Sequence, residues 1–456
     1  MQSDPFQFID KEATQELKKD SKYELFRKWC DEQGMNLEKV SFPCAYGPTG
    51  FLIGVGARKK IKAGEWILRT PCNSRIDSET IRNSPGIGQT INALDFHQDF
   101  TLSLYFMHQN LLGSQSQLYY TIQVSNPADL PFLWNDNEIE FIQDKHAILL
   151  IKQMRTQILK DAEEIYNKLL ETGCVDKFCS GDQTKENFFQ QYLISWQYVL
   201  TRYVWYEFYL KYHTMTPFIE SMNHTHGRYS FHQLVDSEGR ILTQNTIGIP
   251  NCYSIPGFES INGHYFPPAQ EELDKIISEI EIETVEETSF SIIPPEGTFF
   301  QMVSMYDLEE GEQIPYNYGH VTNKSHLINY GFIIKNNQSD CISIKIRIKG
   351  YEKNIILHRN NKNDKFLGSC KQILQDCGLV TCSNSLVYQI AIDLIKQQYV
   401  FDFGKSLDET EDLTENLENS RKRLAFEYRT QQRQIYTYHV AQLQNLLQGE
   451  KSNQFQ

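Results

Sequence analysis

The stretch GEQIPYNYGHVTNKSHLINYGF, Gly311 to Phe332, concentrates tyrosine hydroxyls and aromatic rings directly after the turn-forming residues EEGEQ. Taken alone, the pattern is typical of an aromatic-rich strand edge followed by a helix. Tyr316, Tyr318 and Tyr330 would then be packing residues of an ordinary core. The choice between packing and chemistry depends on which other segments accompany this one.

The composition is that of a globular protein. The chain has 456 residues, of which 40% are hydrophobic, and a net charge of −14. This length predicts two to three domains. No basic stretch offers a surface for phosphate groups, so we expect no nucleic-acid partner. The acidic balance fits a basic protein or peptide as partner.

The chain carries no recognisable targeting or membrane-spanning segment. Its first residues, MQSDPFQFIDKEATQELKKD, hold charges where a secretory signal needs an apolar run. No apolar run approaches the roughly 18 residues that cross a bilayer. The ten cysteines match neither a paired CxxC zinc motif nor a tightly spaced disulfide framework. We therefore expect reduced, mostly buried thiols in a protein of the cytoplasm or nucleus, without a membrane partner. The expected oligomeric state is a monomer.

Hydrophobic periodicity predicts the main elements. Apolar residues at three- and four-residue spacing indicate helices over 14–34, 97–112, 137–172 and 186–211. From Phe51 to Pro71, two apolar runs flank the basic turn KKIKAGE, which predicts a β-hairpin. The segment CISIKIRIKG from 341 alternates apolar and charged residues and predicts a half-exposed strand, and helices follow from about 365.

Residues 245–295 differ from the rest. TIGIPNCYSIPGFESINGHYFPP is rich in Pro, Gly and Asn, and EELDKIISEIEIETVEET is strongly acidic. This composition predicts an insertion, part loop and part short helix or strand, and not a separate domain.

Three segments, far apart in the sequence, follow one another in an order that occurs in a known family. They are FLIG at 51–54, the segment from Glu220 to His224 (ESMNH), and GEQIPYNYG with the later YGF at 330–332. They resemble the Gly-rich hairpin, the D-x-x-N-H segment and the G-E-E/Q-[I/V]-x-x-x-Y-G motif of SET-domain protein methyltransferases. The subclass is that of the plant Rubisco large-subunit methyltransferase and the actin-histidine methyltransferases. Connecting segments such as LISWQYVLTRYVW extend the resemblance over residues 15–450, nearly the whole chain.

The resemblance implies an α+β fold. A β-rich, pseudoknotted SET core would be interrupted by a helical insertion and followed by a C-terminal substrate-binding domain rich in helices. The implied boundaries are an N-terminal helix with the first part of the core at 1–84, the insertion at 85–200, the second part of the core at 201–335, and the C-terminal domain at 336–456.

The resemblance also implies S-adenosylmethionine as cofactor, no metal, and a protein substrate methylated on a lysine side chain. Tyr318 is the implied catalytic residue, since a hydroxyl in a narrow channel orients methyl group and nucleophile. Cofactor binding is assigned to Phe51, Leu52, Ile53, Gly54, Arg202, Glu220, Asn223, His224, Tyr330 and Phe332. The substrate channel is assigned to Tyr203, Val204, Ile219 and Tyr316.

Two departures keep alternatives open. The family's aspartate is Glu220 here, which leaves a non-catalytic binding module on the same fold as one alternative. Methylation of a histidine is the other. In the actin-histidine branch, an asparagine and a tryptophan hold the imidazole, and the corresponding positions here are Val204 and Ile219. Neither side chain forms hydrogen bonds, so lysine is the predicted target.

Overall fold

A computed structural model describes residues 7–47, 52–125, 128–205, 213–224, 230–244, 296–316, 318, 321–348, 351–359, 362–376, 378, 382–409 and 419–453. These residues form two compact units. The first contains described residues up to 128, from 158 to 244 and from 296 to 318. The second contains those from 129 to 157 and from 321 to 453. The predicted acidic insertion at 245–295 lies outside the described residues.

The helices, numbered along the chain, are α1 (Lys11–Leu17), α2 (Ser21–Glu32), α3 (Ser78–Arg82), α4 (Ile87–Leu94), α5 (Gln98–Leu112), α6 (Tyr119–Val124), α7 (Asp136–Ile139), α8 (Lys145–Glu171), α9 (Lys185–Arg202), α10 (Asn323–Tyr330), α11 (Asp364–Asp376), α12 (Asn384–Phe403) and α13 (Ser420–Asn453). The strands are β1 (Val40–Tyr46), β2 (Leu52–Ala57), β3 (Trp66–Pro71), β4 (Val204–Trp205), β5 (His213–Thr214), β6 (Ser230–Val235), β7 (Ile241–Gln244), β8 (Phe299–Ser304), β9 (Cys341–Ile348) and β10 (Tyr351–His358). No helix within these described ranges is both long and apolar enough to cross a membrane.

The predicted helices are present, with different ends. The helix at 97–112 is confirmed by α5, and the long helix at 137–172 is divided into α7, a 3-10 turn and α8. The helix expected over 14–34 is two helices, because the Asp20 carboxylate accepts a hydrogen bond from the Lys22 amide and starts α2. The helix expected over 186–211 ends at Arg202, and the backbone turns extended at Tyr203; 206–211 lie outside the described residues.

The hairpin predicted from Phe51 to Pro71 is wrong. Gly64 does form a turn, with a φ of 84°, but the strands on its two sides do not pair with each other. β2 pairs antiparallel with β1, whereas β3 joins a four-stranded antiparallel sheet in the order β3-β8-β6-β7. A turn brings two strands close, but side-chain packing decides which strands share hydrogen bonds.

The core of the first unit lies between these strands and α2. Its fully buried members include Phe26, Val55, Ile67, Phe218 and Met302. Phe26 stacks on Phe218 with ring centroids 6.1 Å apart. Phe218 lies two residues before Glu220, where the ESMNH segment starts, so this packing anchors the approach to that segment on the core.

The second unit confirms the strand predicted at 341. β9 pairs with β10 in a hairpin, and Ile342, Ile344 and Ile346 face the core with the buried sides of α11, α12 and α13. Asp340, just before β9, is buried and accepts hydrogen bonds from Asn323 and Gln432. Since Asn323 begins α10, this carboxylate links α10 to β9 and α13.

Candidate active site

The tyrosine segment runs beside the Asn-His segment. Tyr316 forms a parallel bridge with His224, and its amide donates to the Asn223 carbonyl at 2.9 Å. The Tyr318 amide donates to Nδ1 of His224 at 2.9 Å. An amide N–H only donates, so Nδ1 carries no proton and the imidazole is neutral. The His224 side chain therefore has a structural role: it holds the two segments together.

The Tyr318 hydroxyl has a fixed position. It donates to the Met222 carbonyl at 2.8 Å, so its proton points away from the lone pairs that remain on the oxygen. Burial raises the pKa of Tyr318 to about 12, against the opposing effect of the Arg202 charge. Tyr318 is therefore a neutral phenol at physiological pH, which suits it to orienting a reacting group and not to removing a proton.

Gly54 and Asn223 fit each other closely. The Asn223 Nδ2 donates to the Ile53 carbonyl at 3.1 Å. A Cβ atom added at Gly54 would lie 2.3 Å from that nitrogen, which is closer than real contacts allow. A side chain at Gly54 would therefore displace the asparagine amide, which occupies the space beside the strand. Leu52 and Ile53 flank it on β2 and are partly exposed, whereas Phe51 lies outside the described residues.

Arg202, Tyr198 and Glu220 form a second polar group. The Arg202 guanidinium lies 4.5 Å from the Tyr198 ring centre, and Tyr198 Oη makes a long contact of 3.5 Å with Glu220 Oε1. Burial raises the pKa of Glu220 to about 7, although the Arg202 charge and the Tyr198 hydrogen bond both oppose the increase. The longer side chain at this position thus holds a carboxylate that changes charge near neutral pH.

The four residues predicted to form the channel have different surroundings. Ile219 is buried in the core, and Val204 belongs to β4, where its backbone pairs with Thr214. Tyr203 stacks on His213 with ring centroids 4.0 Å apart. Tyr316 lies beside Tyr318, with ring centroids 5.8 Å apart.

Tyr330 and Phe332 belong to the second unit. Tyr330 ends α10, and Gly331 follows in the left-handed conformation with a φ of 72°. The Phe332 ring stacks on His326 with centroids 4.9 Å apart, and the Tyr330 and Phe332 rings are 6.0 Å apart. The Tyr-Gly-Phe sequence thus caps the helix with two neighbouring aromatic rings.

Comparison with known proteins rests on structure. No protein-family model matches the sequence, and no curated protein sequence matches it either. Solved structures match over 93% of the chain. The SET domain of LSMT bound to lysine and AdoHcy is 12% identical, is covered over 91% of its length and has a TM-score of 0.59. Rubisco LSMT bound to AdoMet is 13% identical, with 92% coverage and a TM-score of 0.56. Rubisco LSMT bound to sinefungin and monomethyllysine is 13% identical, with 92% coverage and a TM-score of 0.58.

This chain has a SET-domain fold. The match confirms the α+β fold class and the fold that the three motifs predicted. Identities of 12–13% mean that what is shared is the backbone arrangement, so the roles of individual residues remain predictions. Within the SET fold, the sequence motifs bring Gly54, Asn223, His224, Tyr316 and Tyr318 together in the first unit.

Two residues near the SET motifs were missed by sequence analysis. Tyr198 lies four residues before Arg202 on α9, and this spacing places the two side chains on one helix face, a signal that could have found it. His232 on β6 lies 5.1 Å from the Tyr316 ring, and burial lowers its pKa to about 3. No sequence motif marks His232, because its place beside Tyr316 arises from sheet packing.

Proposed function

We propose that this chain is an S-adenosylmethionine-dependent protein methyltransferase that transfers a methyl group to a lysine side chain of a protein substrate. The observation that carries the proposal is the fixed Tyr318 hydroxyl beside the Asn223–Gly54 contact. These residues lie at the motif positions of a fold that 93% of the chain shares with an LSMT structure bound to lysine and AdoHcy.

The residues around Gly54 fit the cofactor. Gly54, which carries no Cβ, and the Asn223 amide packed against it would together form the wall of the cofactor site at the edge of β2. Because Asn223 Nδ2 bonds to Ile53, its Oδ1 points away as an acceptor for an ammonium group. Arg202 supplies a guanidinium suited to an anionic group. S-adenosylmethionine, when bound, supplies a methyl group on a sulfonium.

Tyr318 and its neighbours would orient the nucleophile. The Tyr318 hydroxyl donates its proton in a hydrogen bond to the Met222 carbonyl, so a lone pair of its oxygen would be available to the reacting groups. The neighbouring Tyr316 and the neutral His232 supply no charge. Such surroundings disfavour an ammonium group and favour the neutral amine, the form of lysine that attacks a methyl group.

The proposals about partners and cellular location are based on the sequence. We propose a protein substrate, a monomeric enzyme in the cytoplasm or nucleus, and no part for nucleic acid or membrane. The net charge of −14 favours a basic segment around the target lysine, since opposite charge speeds association.

Two measurements test the proposal. Calorimetry should detect binding of S-adenosylmethionine and of S-adenosylhomocysteine to the purified chain. Cell extract incubated with the enzyme and labelled cofactor should then contain a labelled protein, which mass spectrometry identifies. Cofactor binding without transfer to any protein would support a non-catalytic binding module. Absence of cofactor binding would refute the proposal.

A further inference from the structure

Gln313 places a buried amide beside Gly54. Its backbone N–H donates to the Gln7 carbonyl at 2.8 Å, and its backbone bridges to Gly56 of β2. These backbone bonds fix the position of the Gln313 Cα, from which the side chain extends. Its Nε2 atom is buried and makes no hydrogen bond within the described residues. A Cβ added at Gly54 would lie 3.2 Å from this nitrogen, so the amide reaches the same space as Asn223.

Such an amide is costly to the fold. A buried donor without a partner costs free energy, and folded proteins pair nearly all of them. Leucine has a similar volume and would remove that cost. The unpaired glutamine amide therefore lowers the stability of the fold. Its presence points to a hydrogen-bond partner that the described residues do not supply.

The two amides beside Gly54 are complementary. Asn223 uses Nδ2 to bond Ile53, and its Oδ1 accepts no hydrogen bond from the described residues. Gln313 offers the opposite function, an N–H donor. Both amides reach Gly54, and together they offer a free donor and a free acceptor, which match the carboxylate and the ammonium of an α-amino acid.

We propose that Gln313 binds the carboxylate at the amino-acid end of S-adenosylmethionine through Nε2. This assignment rests on the proposed function, because it places the cofactor beside Gly54. The bond is charge-assisted, so its loss should be easily measured.

The test compares S-adenosylmethionine with its decarboxylated form, which keeps the ammonium and lacks the carboxylate. Calorimetry gives the affinity of both ligands for the wild type, Gln313→Leu and Gln313→Glu. The matched control is Gln197→Leu on α9, since the Gln197 Nε2 is also buried without a partner and no hydrogen bond of the described residues joins it to Gly54. Thermal unfolding without ligand confirms that each variant folds.

The expected results differ between the ligands. Gln313→Leu should bind S-adenosylmethionine about tenfold or more weakly, the loss typical of a hydrogen bond to a charged group. The decarboxylated ligand should bind wild type and Gln313→Leu alike, within about twofold. Gln313→Glu should bind S-adenosylmethionine still more weakly, because its carboxylate repels that of the ligand. Without ligand, Gln313→Leu should melt at or above the temperature of the wild type.

Three results would overturn the assignment while cofactor binding by the wild type stands. They are unchanged affinity of Gln313→Leu for S-adenosylmethionine, equal weakening for both ligands, and an equal loss in Gln197→Leu. If Gln313→Leu does not fold, Gln313→Glu carries the same comparison. A wild type that binds neither ligand refutes the proposed function, and with it this assignment.

Discussion

The substitution Gly54→Ala tests the contact between Gly54 and Asn223. Gly54 is not among the glycines with positive φ, so alanine fits its backbone conformation. The new Cβ would nevertheless lie 2.3 Å from Asn223 Nδ2. The asparagine amide must therefore rotate away, and its hydrogen bond to the Ile53 carbonyl is lost.

The cost follows from these two effects. Overpacking in a folded chain costs about 1–3 kcal/mol, and a lost hydrogen bond costs about 0.5–1.5 kcal/mol. The clashing atom ends a short side chain that rotates, so the lower part of these ranges applies. We expect the free energy of unfolding to fall by about 2 kcal/mol. In the Asn223→Ala background the main obstacle is absent, and only the Gln313 Nε2 remains close, at 3.2 Å. Alanine also restricts the unfolded chain, and this stabilisation of about 0.4–1 kcal/mol offsets the remaining strain.

Urea unfolding of wild type, both single variants and the double variant measures this coupling. We expect an interaction of about 2 kcal/mol, well above the roughly 0.5 kcal/mol within which independent sites add. Gly368→Ala is the control, since its Cβ meets no atom within 4 Å and its effect should not depend on Asn223. The reasoning is refuted if Gly54→Ala costs the same with and without the asparagine.

Three further predictions concern the reaction and its pH dependence. Tyr318→Phe should keep cofactor affinity in calorimetry and lose most turnover, because only a hydroxyl is removed; activity within a few-fold of wild type would contradict its role. Burial raises the pKa of Glu220 from 4.5 to about 7. Its ionisation therefore lowers the free energy of unfolding by the full amount above pH 7, and by progressively less as the pH falls towards 4.5. Glu220→Gln should therefore raise the free energy of unfolding by about 1–3 kcal/mol at pH 8 and far less at pH 5, and an equal gain at both would count against the buried carboxylate. Amino-acid analysis of the labelled product should give methyllysine, and methylhistidine alone would overturn the choice of target.

Local patterns predicted the helices well and strand pairing poorly. The apolar spacing of α5 and α8 depends on neighbours three and four residues away, so the sequence contains the whole signal. The Asp20-Ser21 start of α2 was also readable as a helix cap and was overlooked. The pairing of β3 with β8 joins Leu68 to Met302, and no local pattern specifies a partner so distant. The hairpin prediction fails because Gly64 forms a turn, yet a turn alone does not decide which strands pair.

The same distinction applies to the site. Gly54, Asn223 and Tyr318 are predicted site residues because each lies in a short motif whose order in the chain is informative, and the structure brings them into one unit. The reason for Gly54 could not be predicted, since the atom that excludes a Cβ belongs to a residue 169 positions later. His232 and the free amide of Gln313 likewise acquire meaning only from what packs against them.

The residues around Tyr318 do not account for a pH dependence of the proposed reaction, which must therefore come from other groups. Tyr318 has its pKa raised to about 12 and His232 has its pKa lowered to about 3, while His224 is neutral because its Nδ1 accepts the Tyr318 amide. Tyr318 and His232 therefore stay uncharged near neutral pH, so neither removes the proton from a lysine by titrating there. A free lysine with a pKa of about 10.4 needs about 4.6 kcal/mol to become neutral at pH 7. Transfer of its side chain from water to these uncharged rings lowers that cost, because desolvation penalises the ammonium. The rate should therefore follow the titration of the substrate lysine, with Glu220 as the group of the described site that also changes charge near neutral pH.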